Sequence, residues 1–556
     1  MRRAASTPWL AASAGISLLV LAPLAALGVE ASRGSPGLWR HLAAYVLPGA
    51  VADTAILLAG VAVLTTVLGA GLAWLVTAYE FPGRRTLDWA LLLPLAMPTY
   101  VIAYAYLDIL HPVGPVQTAI RALLGFDSPR DFRLPDIRSM AGCVFLLGFV
   151  LYPYVYLTTR AMFLMQSASL FDAARTLGVG AGRLLTRVAL PLARPAIAVG
   201  LSLALLETLN DIGASEFLGV RTLTVSIYST WITRADLPGA AQLALAMLVI
   251  VLLLVTVERR ARRARRYANA AQHARPMQPT RLNGWKAALA LTACLTPVFL
   301  GFLVPASYLV QASIARLREW GMPEAILTEL RYTLTFAGGA TLLTLLAGLA
   351  VAYAVRLAGT GRAAGIFLRT ASLGYAVPGT VLAIGLLPIV TGIEAVTDAG
   401  ARATVGQSTG LVLLGTGLAV IYAYVARFLA VSAGTIDAGL ERVPPSIDAA
   451  ARTLGAGAGR RLWRVHLPLL RPAIATAAML VFVDCVKELP ATLLLRPLGV
   501  ETLATHLYGE AVRGTYEDAA IAALLIVVAG LLPVIALARI GRRTSAADVP
   551  DTPGWL

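Results

Sequence analysis

The sequence predicts an all-α polytopic membrane protein with about twelve transmembrane helices, arranged as two parallel six-helix repeats. Three observations predict this fold class. The chain of 556 residues is 58% hydrophobic and only 14% charged, whereas soluble domains are about 45–50% apolar and about 25% charged. Long apolar stretches recur from end to end, and one arginine-rich segment occurs twice.

Twelve apolar stretches are long enough to span the hydrocarbon layer, which takes about 20 helical residues. In chain order they are 9–29, 54–78, 88–110, 140–163, 196–219, 237–257, 287–310, 331–356, 366–391, 409–432, 472–495 and 518–538. The first stretch follows Arg2 and Arg3 as in a signal peptide, but its length favours an uncleaved first helix. Cys143, Cys294 and Cys485 lie in apolar stretches without metal or disulfide spacing, which predicts core residues.

The distribution of arginine indicates the orientation. With the N-terminus inside, the strong basic clusters fall on one side, and a loop on the other side, 127–136, mixes both signs. The positive-inside rule then places both termini in the cytoplasm. It also accounts for the net charge of +16 without nucleic-acid binding.

A basic run at 258–266 divides the chain near its middle. The sequence predicts a first membrane domain at 1–258, a cytoplasmic linker at 259–285 and a second membrane domain at 286–556. The run is interpreted as a topogenic linker, and binding to anionic lipid is the alternative.

The two halves are copies of each other. Of 26 aligned positions from Asp172 to Ile197 and from Ala449 to Ile474, 20 are identical, at an offset of 277. The similarity extends to Pro98 and Pro378 at an offset of 280. Six spans separate the copies, and an even number gives both the same orientation. Two parallel repeats of this kind build a pathway between them.

Each copy of the repeated loop predicts a short helix. Ser169 and Ser446 are candidate N-caps, and Gly178 and Gly455 are predicted to end the helix. A short helix, a glycine turn and a direct entry into the next span suit docking to a cytoplasmic partner. The alternative is a duplicated loop without a partner.

The loop spacing resembles the "EAA" loop of permease subunits of bacterial ABC importers. In that family the loop forms a coupling helix that docks in a cleft of the ATPase subunit. The coupling loops correspond to 169–195 and 446–472, and the matching residues are Asp172, Ala173, Ala174, Gly178, Val188, Leu190 and Pro191 in the first copy and Ala450, Ala451, Gly455, Val465, Leu467 and Pro468 in the second. Ala449 occupies the acidic position of the second copy, with Asp448 one place earlier. This difference predicts that the two loops bind their ATPase subunits unequally.

The resemblance implies the type I ABC importer permease fold in a multi-pass protein of the bacterial inner membrane. It implies two copies of a cytoplasmic ATPase subunit and a periplasmic or lipid-anchored substrate-binding protein as partners, besides membrane lipid. The chain contains only Lys286 and Lys487, and neither completes the phosphate-binding G-x-x-x-x-G-K-[ST] motif. ATP and Mg are therefore expected on the partner, with no cofactor and no enzymatic activity in this chain.

Two predicted spans carry charges at repeat-related positions. Glu207 corresponds to Asp484 and Asp211 to Glu488, and Lys487 lies beside the second pair. The i, i+4 spacing predicts one shared helix face, and the cost of a charge in the bilayer predicts that this face points to a cavity or partner. These five residues are candidates for the pathway or an outer gate. The alternative is a neutralised structural pair such as Asp484 with Lys487.

Segments 211–220, 374–387 and 487–505 are similar to those of fused ferric-iron importer permeases, which implies Fe³⁺ as the substrate. Carboxylate oxygens suit a hard cation, but the sequence assigns no metal ligands. Permeases for thiamine, phosphonate or polyamine share the architecture and are alternatives. An ion-coupled secondary transporter is a further alternative, although it has no need of paired loops, and a channel is a weaker one.

Overall fold

The computed structural model describes residues 2–166, 176–177, 180–263, 279–358 and 362–547. The helices up to the central run are α1 (Arg2–Arg33), α2 (Trp39–His41), α3 (Leu47–Ala78), α4 (Arg84–Ala90), α5 (Thr99–Ile109), α6 (Pro115–Leu124), α7 (Met140–Leu164), α8 (Ala181–Leu184), α9 (Leu190–Asn210), α10 (Gly213–Phe217), α11 (Leu223–Ile232) and α12 (Leu237–Arg263). A 3₁₀ turn, Leu93–Ala96, lies between α4 and α5.

The second part of the chain repeats this succession. Its helices are α13 (Trp285–Val298), α14 (Val304–Glu319), α15 (Ile326–Ala358), α16 (Arg362–Ala376), α17 (Gly379–Val405), α18 (Leu413–Thr416), α19 (Leu418–Glu441), α20 (Pro445–Thr453), α21 (Ala458–Arg461), α22 (Leu467–Val486), α23 (Pro490–Leu495), α24 (Leu503–Arg513) and α25 (Tyr516–Ala547). Two short strands, β1 (Tyr79–Glu80) and β2 (Thr280–Arg281), pair in parallel.

The described residues include eleven helices long and apolar enough to cross a membrane, and a bent pair of helices raises the number to twelve. The predicted all-α class with about twelve spans is therefore confirmed. Cys143, Cys294 and Cys485 are buried free thiols, as predicted.

Two predicted spans are interrupted at a proline. The stretch predicted as 88–110 turns by 90° before α5, where Met97 is extended and Pro98 precedes the helix. The stretch predicted as 366–391 is divided between α16 and α17 at Pro378. Proline pushes the residue before it out of the α conformation, so each continuous apolar run becomes two helices.

The charged spans also differ from the prediction. They were expected at 196–219 and 472–495, but α9 ends at Asn210 and α22 ends at Val486, and a short helix follows each. Both begin earlier, because helical structure continues through the arginine-rich segment from Gly182 and from Ala458. The two copies therefore share this feature, and the long helix ends at an equivalent place in each.

Each π-helical turn in the described part of the chain directly precedes a helix whose second residue is proline. The turns are Leu42–Val46, Leu185–Ala189, Phe299–Leu303 and Leu462–His466, and the prolines are Pro48, Pro191, Pro305 and Pro468. Proline has no N–H and its ring crowds the carbonyl four residues earlier. A wider i→i+5 turn relieves this crowding while the helix continues. The predicted loop residues Leu190–Pro191 and Leu467–Pro468 therefore lie inside continuous helical segments.

The chain forms two compact units, and each takes helices from both sequence copies. One unit contains 1–54, 221–253 and 322–509, and the other contains 55–220, 254–321 and 510–556. The predicted halves 1–258 and 286–556 describe the order along the chain, whereas packing regroups their helices.

In the first unit, α1 packs on α15, α16 and α17. Val20 of α1 lies in a buried cluster with Val351 and Leu429. The backbones of α1 and α17 approach closely, because a Cβ on Gly385 would lie 2.1 Å from the Pro23 carbonyl oxygen. Glycine is required there for helix-to-helix contact.

In the second unit, α13 packs on the core formed by α3, α4 and α7. Ala290 and Cys294 share a buried cluster with Trp74, Tyr152 and Phe163. The Tyr152 hydroxyl donates to the Leu91 carbonyl at 2.8 Å, which satisfies a polar group in an apolar interior.

Candidate functional site

The second arginine-rich loop contains a complete short helix, α20, with a defined end. Gly455 adopts φ +76, its N–H donates to the Arg452 carbonyl, and the Ala456 N–H donates to the Ala451 carbonyl. These two bonds form a Schellman motif, which requires a left-handed residue at the position of Gly455. The predicted helix end is confirmed.

The predicted N-cap of this helix is wrong. Pro444 occupies the N-cap position and Pro445 the first helical position, so Ser446 lies one residue inside the helix. The fixed φ of proline is already helical, and its missing N–H has no partner to lose in the first turn. Proline therefore starts the helix here without a side-chain cap.

Asp448 of α20 binds three cationic or ionisable side chains of its own unit. Its carboxylate lies 2.9 Å from Arg356 Nη2, 3.4 Å from Arg461 Nη1 and 2.9 Å from His466 Nε2. Arg461 and His466 are buried. The acid beside the acidic position of the family motif is therefore engaged within the chain.

This ion network determines the charge state of Asp448. Burial raises the pKa of its carboxyl, but the hydrogen bonds and charges of His466 and Arg356 outweigh burial and hold the pKa below its ordinary value. Asp448 is therefore ionised at neutral pH, as the network requires.

Helix α15 holds the loop through two side chains. Arg356 donates to the carbonyls of Leu440 and Val443 besides binding Asp448. The Tyr353 hydroxyl donates to the Ala458 carbonyl at 2.7 Å. These bonds join α20 and its flanking residues to α15, which is long and apolar enough to span the membrane.

The solvent-facing side of this loop carries exposed apolar side chains among exposed arginines. No residue of α20 is buried, Leu454 is 84% exposed, and Trp463 is 72% exposed. Ala450, Gly455 and Pro468 are also exposed, whereas Ala451 and Leu467 are half-buried. Exposed large apolar groups on a structured loop are typical of an interaction surface.

Most of the first loop lies outside the described residues, including Asp172, Ala173, Ala174, Gly178 and the predicted cap Ser169. In its described part Leu177 is 83% exposed. Leu190 and Pro191 are half-buried.

The first loop is attached to its unit by apolar contacts. Leu184 and Ala189 are buried in the same cluster as Trp74 and Phe163. At an offset of 277 these two residues correspond to Arg461 and His466 of the second copy. The two loops therefore have the same sequence motif and different anchors.

Asp211 caps the short helix α10. Its carboxylate accepts hydrogen bonds from the Ser215 N–H at 2.7 Å, the Ser215 hydroxyl at 2.8 Å and the Thr99 hydroxyl at 2.6 Å. The Ala214 N–H lies 3.4 Å from it. A carboxylate in this position satisfies the free N–H groups of a helix start.

Glu488 caps the equivalent helix α23. It accepts from the N–H groups of Ala491 and Thr492 at 3.0 and 3.1 Å. It also binds buried Arg427, with 3.2 Å between Nη1 and Oε1. Gly379 leaves room for this pair, because a Cβ there would lie 2.4 Å from Arg427 Nη1.

The expectation that each acidic pair shares one helix face is wrong. Glu207 lies in α9, but Asp211 follows its end with an extended backbone. Asp484 lies in α22, whereas Glu488 follows its C-cap. The carboxylates of Asp211 and Glu488 bind the next helix, and this competes with continuation of the span.

The alternative of a neutralised pair is observed for two of the five charged candidates. Lys487 Nζ lies 2.9 Å from Asp484 Oδ1. Within the described ranges, no group of three or more His, Cys, Asp or Glu side chains is placed to hold a metal ion.

Sequence reasoning missed the partners of these carboxylates. Arg427 falls inside the predicted span 409–432, and an arginine within a span is itself a signal for a buried acidic partner. Thr99 and Gly379 carried no such signal, because each simply follows the proline of its copy and neither is charged.

Two parallel copies of a membrane-spanning helical domain, each with a repeated loop of one motif, define the class of transport permeases. The family described as binding-protein-dependent transport system inner membrane component matches residues 65–267 and again 344–546. The chain therefore belongs to this family and carries its domain twice. It is a multi-pass inner-membrane protein and the fused permease of an ABC importer.

Two curated relatives extend over most of the chain, and a third matches one part of it. An Fe(3+)-transport system permease protein of Haemophilus influenzae is 25% identical over 468 residues, covering 84% of each chain. A probable ABC transporter permease protein of Sinorhizobium fredii is 26% identical over 500 residues, covering 85% of this chain and 84% of the relative. The molybdenum transport system permease protein of Escherichia coli is 29% identical over 191 residues, covering 33% of this chain and 80% of the relative.

Proposed function

We propose that this chain transports ferric iron into the cell in a complex with two ATPase subunits and a substrate-binding protein. The coupling role rests on the structured loop at α20, which exposes Leu454 and Trp463 to solvent and is bound to α15 through Arg356 and Tyr353. The Fe³⁺ substrate is supported by the Haemophilus relative, which covers 84% of this chain.

The proposed mechanism is alternating access. The binding protein delivers substrate at the outer face, and ATP binding closes the two ATPase subunits on the cytoplasmic loops. Residues of the two loops receive this motion, namely Asp172, Ala173, Ala174, Gly178, Leu190 and Pro191 in the first copy and Ala450, Ala451, Gly455, Leu467 and Pro468 in the second. The two copies then rock and open the pathway to the other side.

The charged candidates divide into roles within this mechanism. Asp211 and Glu488 hold the short helices that follow the broken spans, and Asp484 and Lys487 neutralise each other. Glu207 lies half-buried in α9 and is the candidate to test as a pathway residue. The variant Glu207→Gln is expected to lower uptake while the amount of protein in the membrane stays the same.

Reconstitution tests the function directly. Vesicles containing the permease, its ATPase and the co-encoded binding protein are expected to accumulate radiolabelled Fe(III) in the presence of ATP. Accumulation of molybdate is measured in parallel, because a relative is named for molybdenum. Accumulation of molybdate without accumulation of Fe(III) would overturn the substrate and retain the importer.

Loop variants test the coupling. Replacing Gly455 by valine puts a β-branched residue where φ is +76, and such residues avoid that conformation. The expected result is ATP hydrolysis without uptake. Uptake that continues in vesicles lacking any ATPase would favour the ion-coupled secondary transporter.

A further inference from the structure

Tyr228 and Tyr508 occupy the same position in the two sequence copies. Tyr228 ends the segment 221–228 and Tyr508 ends the segment 501–508, at an offset of 280. They lie on the short helices α11 and α24, which follow the capped helices α10 and α23.

The two helices begin in the same way. Thr222 Oγ1 accepts from the Val225 N–H at 3.4 Å. Thr502 Oγ1 accepts from the Thr505 N–H at 3.3 Å. A threonine N-cap therefore starts each helix at an equivalent residue.

The two helices are also anchored in the same way. The Leu223 N–H donates to Thr54 Oγ1 at 3.0 Å, and the Leu503 N–H donates to Thr333 Oγ1 at 2.9 Å. Both threonines lie near the start of the long helices α3 and α15. Matching bonds at matching positions are the pattern expected of two helices related by a local two-fold.

The two equivalent tyrosine rings are in contact with each other. Their centroids are 6.1 Å apart and their planes meet at 82°, which is the preferred edge-to-face arrangement. A residue touches its own symmetry mate only where the two-fold axis passes between them. The ring pair therefore lies on the local axis.

We propose that Tyr228 and Tyr508 form an aromatic gate that closes the translocation pathway on this axis. The inference rests on the proposed function, because two parallel copies that rock against each other open a pathway along their common axis. Ile227 and Leu507 are fully buried and anchor the two helices that carry the tyrosines. Since α11 is bound to the start of α3 and α24 to the start of α15, a shift between these two helix starts separates the rings.

Crosslinking tests the geometry. Cys143, Cys294 and Cys485 are replaced by alanine, and the variants Tyr228→Cys and Tyr508→Cys are combined in the full chain. A bis-methanethiosulfonate reagent, which links two thiols across a spacer, is expected to join the two cysteines, to stop ATP-driven uptake of Fe(III), and to be reversed by a thiol reductant. Each single-cysteine variant is the control and is expected to form no crosslink within the chain.

A leak measurement tests the gate without any assumption about the substrate. Passive release of entrapped Na⁺ is measured from vesicles containing the whole complex without ATP. Removal of either ring in Tyr228→Ala or Tyr508→Ala is expected to raise the release about tenfold, since a constriction that closes a pore loses its seal. The double variant is expected to leak no more than a single one, because one missing ring already opens the contact.

Two control variants make the test specific. Tyr228→Phe retains the ring and is expected to stay closed. Tyr332→Ala removes a ring from a pair with Phe336 inside one helix, where the centroids are also 6.1 Å apart, and is expected to stay closed.

The possible results separate the gate from the transport function. Release from the double variant at the wild-type level, or an equal rise in Tyr332→Ala, overturns the gate. Absence of ATP-driven Fe(III) uptake in the wild type, together with the expected crosslink and leak, supports the gate and overturns the proposed substrate.

Discussion

The two copies of the repeat hold equivalent helices with different chemistry. In the first copy, Asp211 caps α10 and receives the Thr99 hydroxyl. In the second, Glu488 caps α23 and binds the guanidinium of Arg427 in the space left by Gly379. Thr99 and Gly379 are repeat equivalents at an offset of 280, and Arg427 corresponds to Val150 at 277.

The loops differ in the same way, because the second copy again uses charged side chains that the first copy lacks. The second copy binds its loop with the ion network around Asp448. The equivalents of Arg461 and His466 in the first copy are Leu184 and Ala189, which are buried among apolar residues. Charged residues thus replace apolar residues together, at both equivalent positions of the loop. The same backbone can be anchored either by ion pairs or by apolar packing.

Of the variants that test this difference between the copies, removal of Arg427 is expected to lower stability the most. Arg427→Val installs the residue of the first copy and leaves Glu488 buried without its cation. Breaking a buried ion pair costs about 3–5 kcal/mol, so the thermal unfolding midpoint in detergent is expected to fall markedly. The control is Arg402→Ala, which removes a side chain that is 66% exposed in its ion pair with Asp398 and is expected to have little effect. Equal midpoints for both variants would contradict the assignment.

Converting the second cap into the first is the next test. Gly379→Thr alone places atoms 2.4 Å from Arg427 Nη1 and is expected to destabilise the protein by about 1–3 kcal/mol. In the double variant Gly379→Thr with Arg427→Val, the new hydroxyl takes the role of Thr99. The double variant is expected to be more stable than Arg427→Val alone by about 1 kcal/mol or more. Simple additivity in the same unfolding assay would show that the two caps are not interchangeable.

The loop anchor gives a more specific effect, which is expected on coupling. Asp448→Asn removes the charge that binds Arg356, Arg461 and His466, and each lost charged hydrogen bond is worth about 1.5–3 kcal/mol before solvent screening reduces it. The ratio of substrate transported to ATP hydrolysed is expected to fall. The same ratio in Leu184→Val, which keeps the apolar anchor of the first loop, is expected to change little.

The pH dependence of this anchor follows from the lowered pKa of Asp448. A carboxyl with a lowered folded-state pKa stabilises the fold above the ordinary carboxyl pKa of about 3.9. That contribution is lost as the pH falls through the lowered value. Asp448 is therefore expected to stay ionised, and the coupling ratio to stay constant, between about pH 5 and 8. A coupling ratio that falls in this range in the wild type, but not in Asp448→Asn, would contradict the lowered pKa.

Thr99→Val is expected to have the smallest effect. It removes one hydroxyl donor from Asp211, while the Ser215 N–H and hydroxyl and the Ala214 N–H remain. The expected loss is about 1 kcal/mol, and Thr99→Ser is expected to restore the wild-type unfolding midpoint. A loss as large as that of Arg427→Val would show that Asp211 depends on Thr99 as Glu488 depends on Arg427.

Much of the architecture was predictable because it rests on local rules. Apolar length predicted the spans, and the glycine at 455 predicted the end of α20, since only the local backbone decides a left-handed turn. The break after α9 was not predictable in this way. Apolar sequence continues past Asn210, and the span ends because the Asp211 side chain binds the start of the next helix.

The sequence by itself determined the membrane class, the number of spans, the duplication and the loop motif, because these depend on composition, length and residue order. The tertiary structure decided which helices form each compact unit, which carboxylates serve as caps and which equivalent residues meet. Arg427 and Glu488 lie 61 residues apart, and Tyr228 and Tyr508 belong to different copies. Their contacts form only when packing brings distant helices together, and no local sequence pattern predicts which residues then meet.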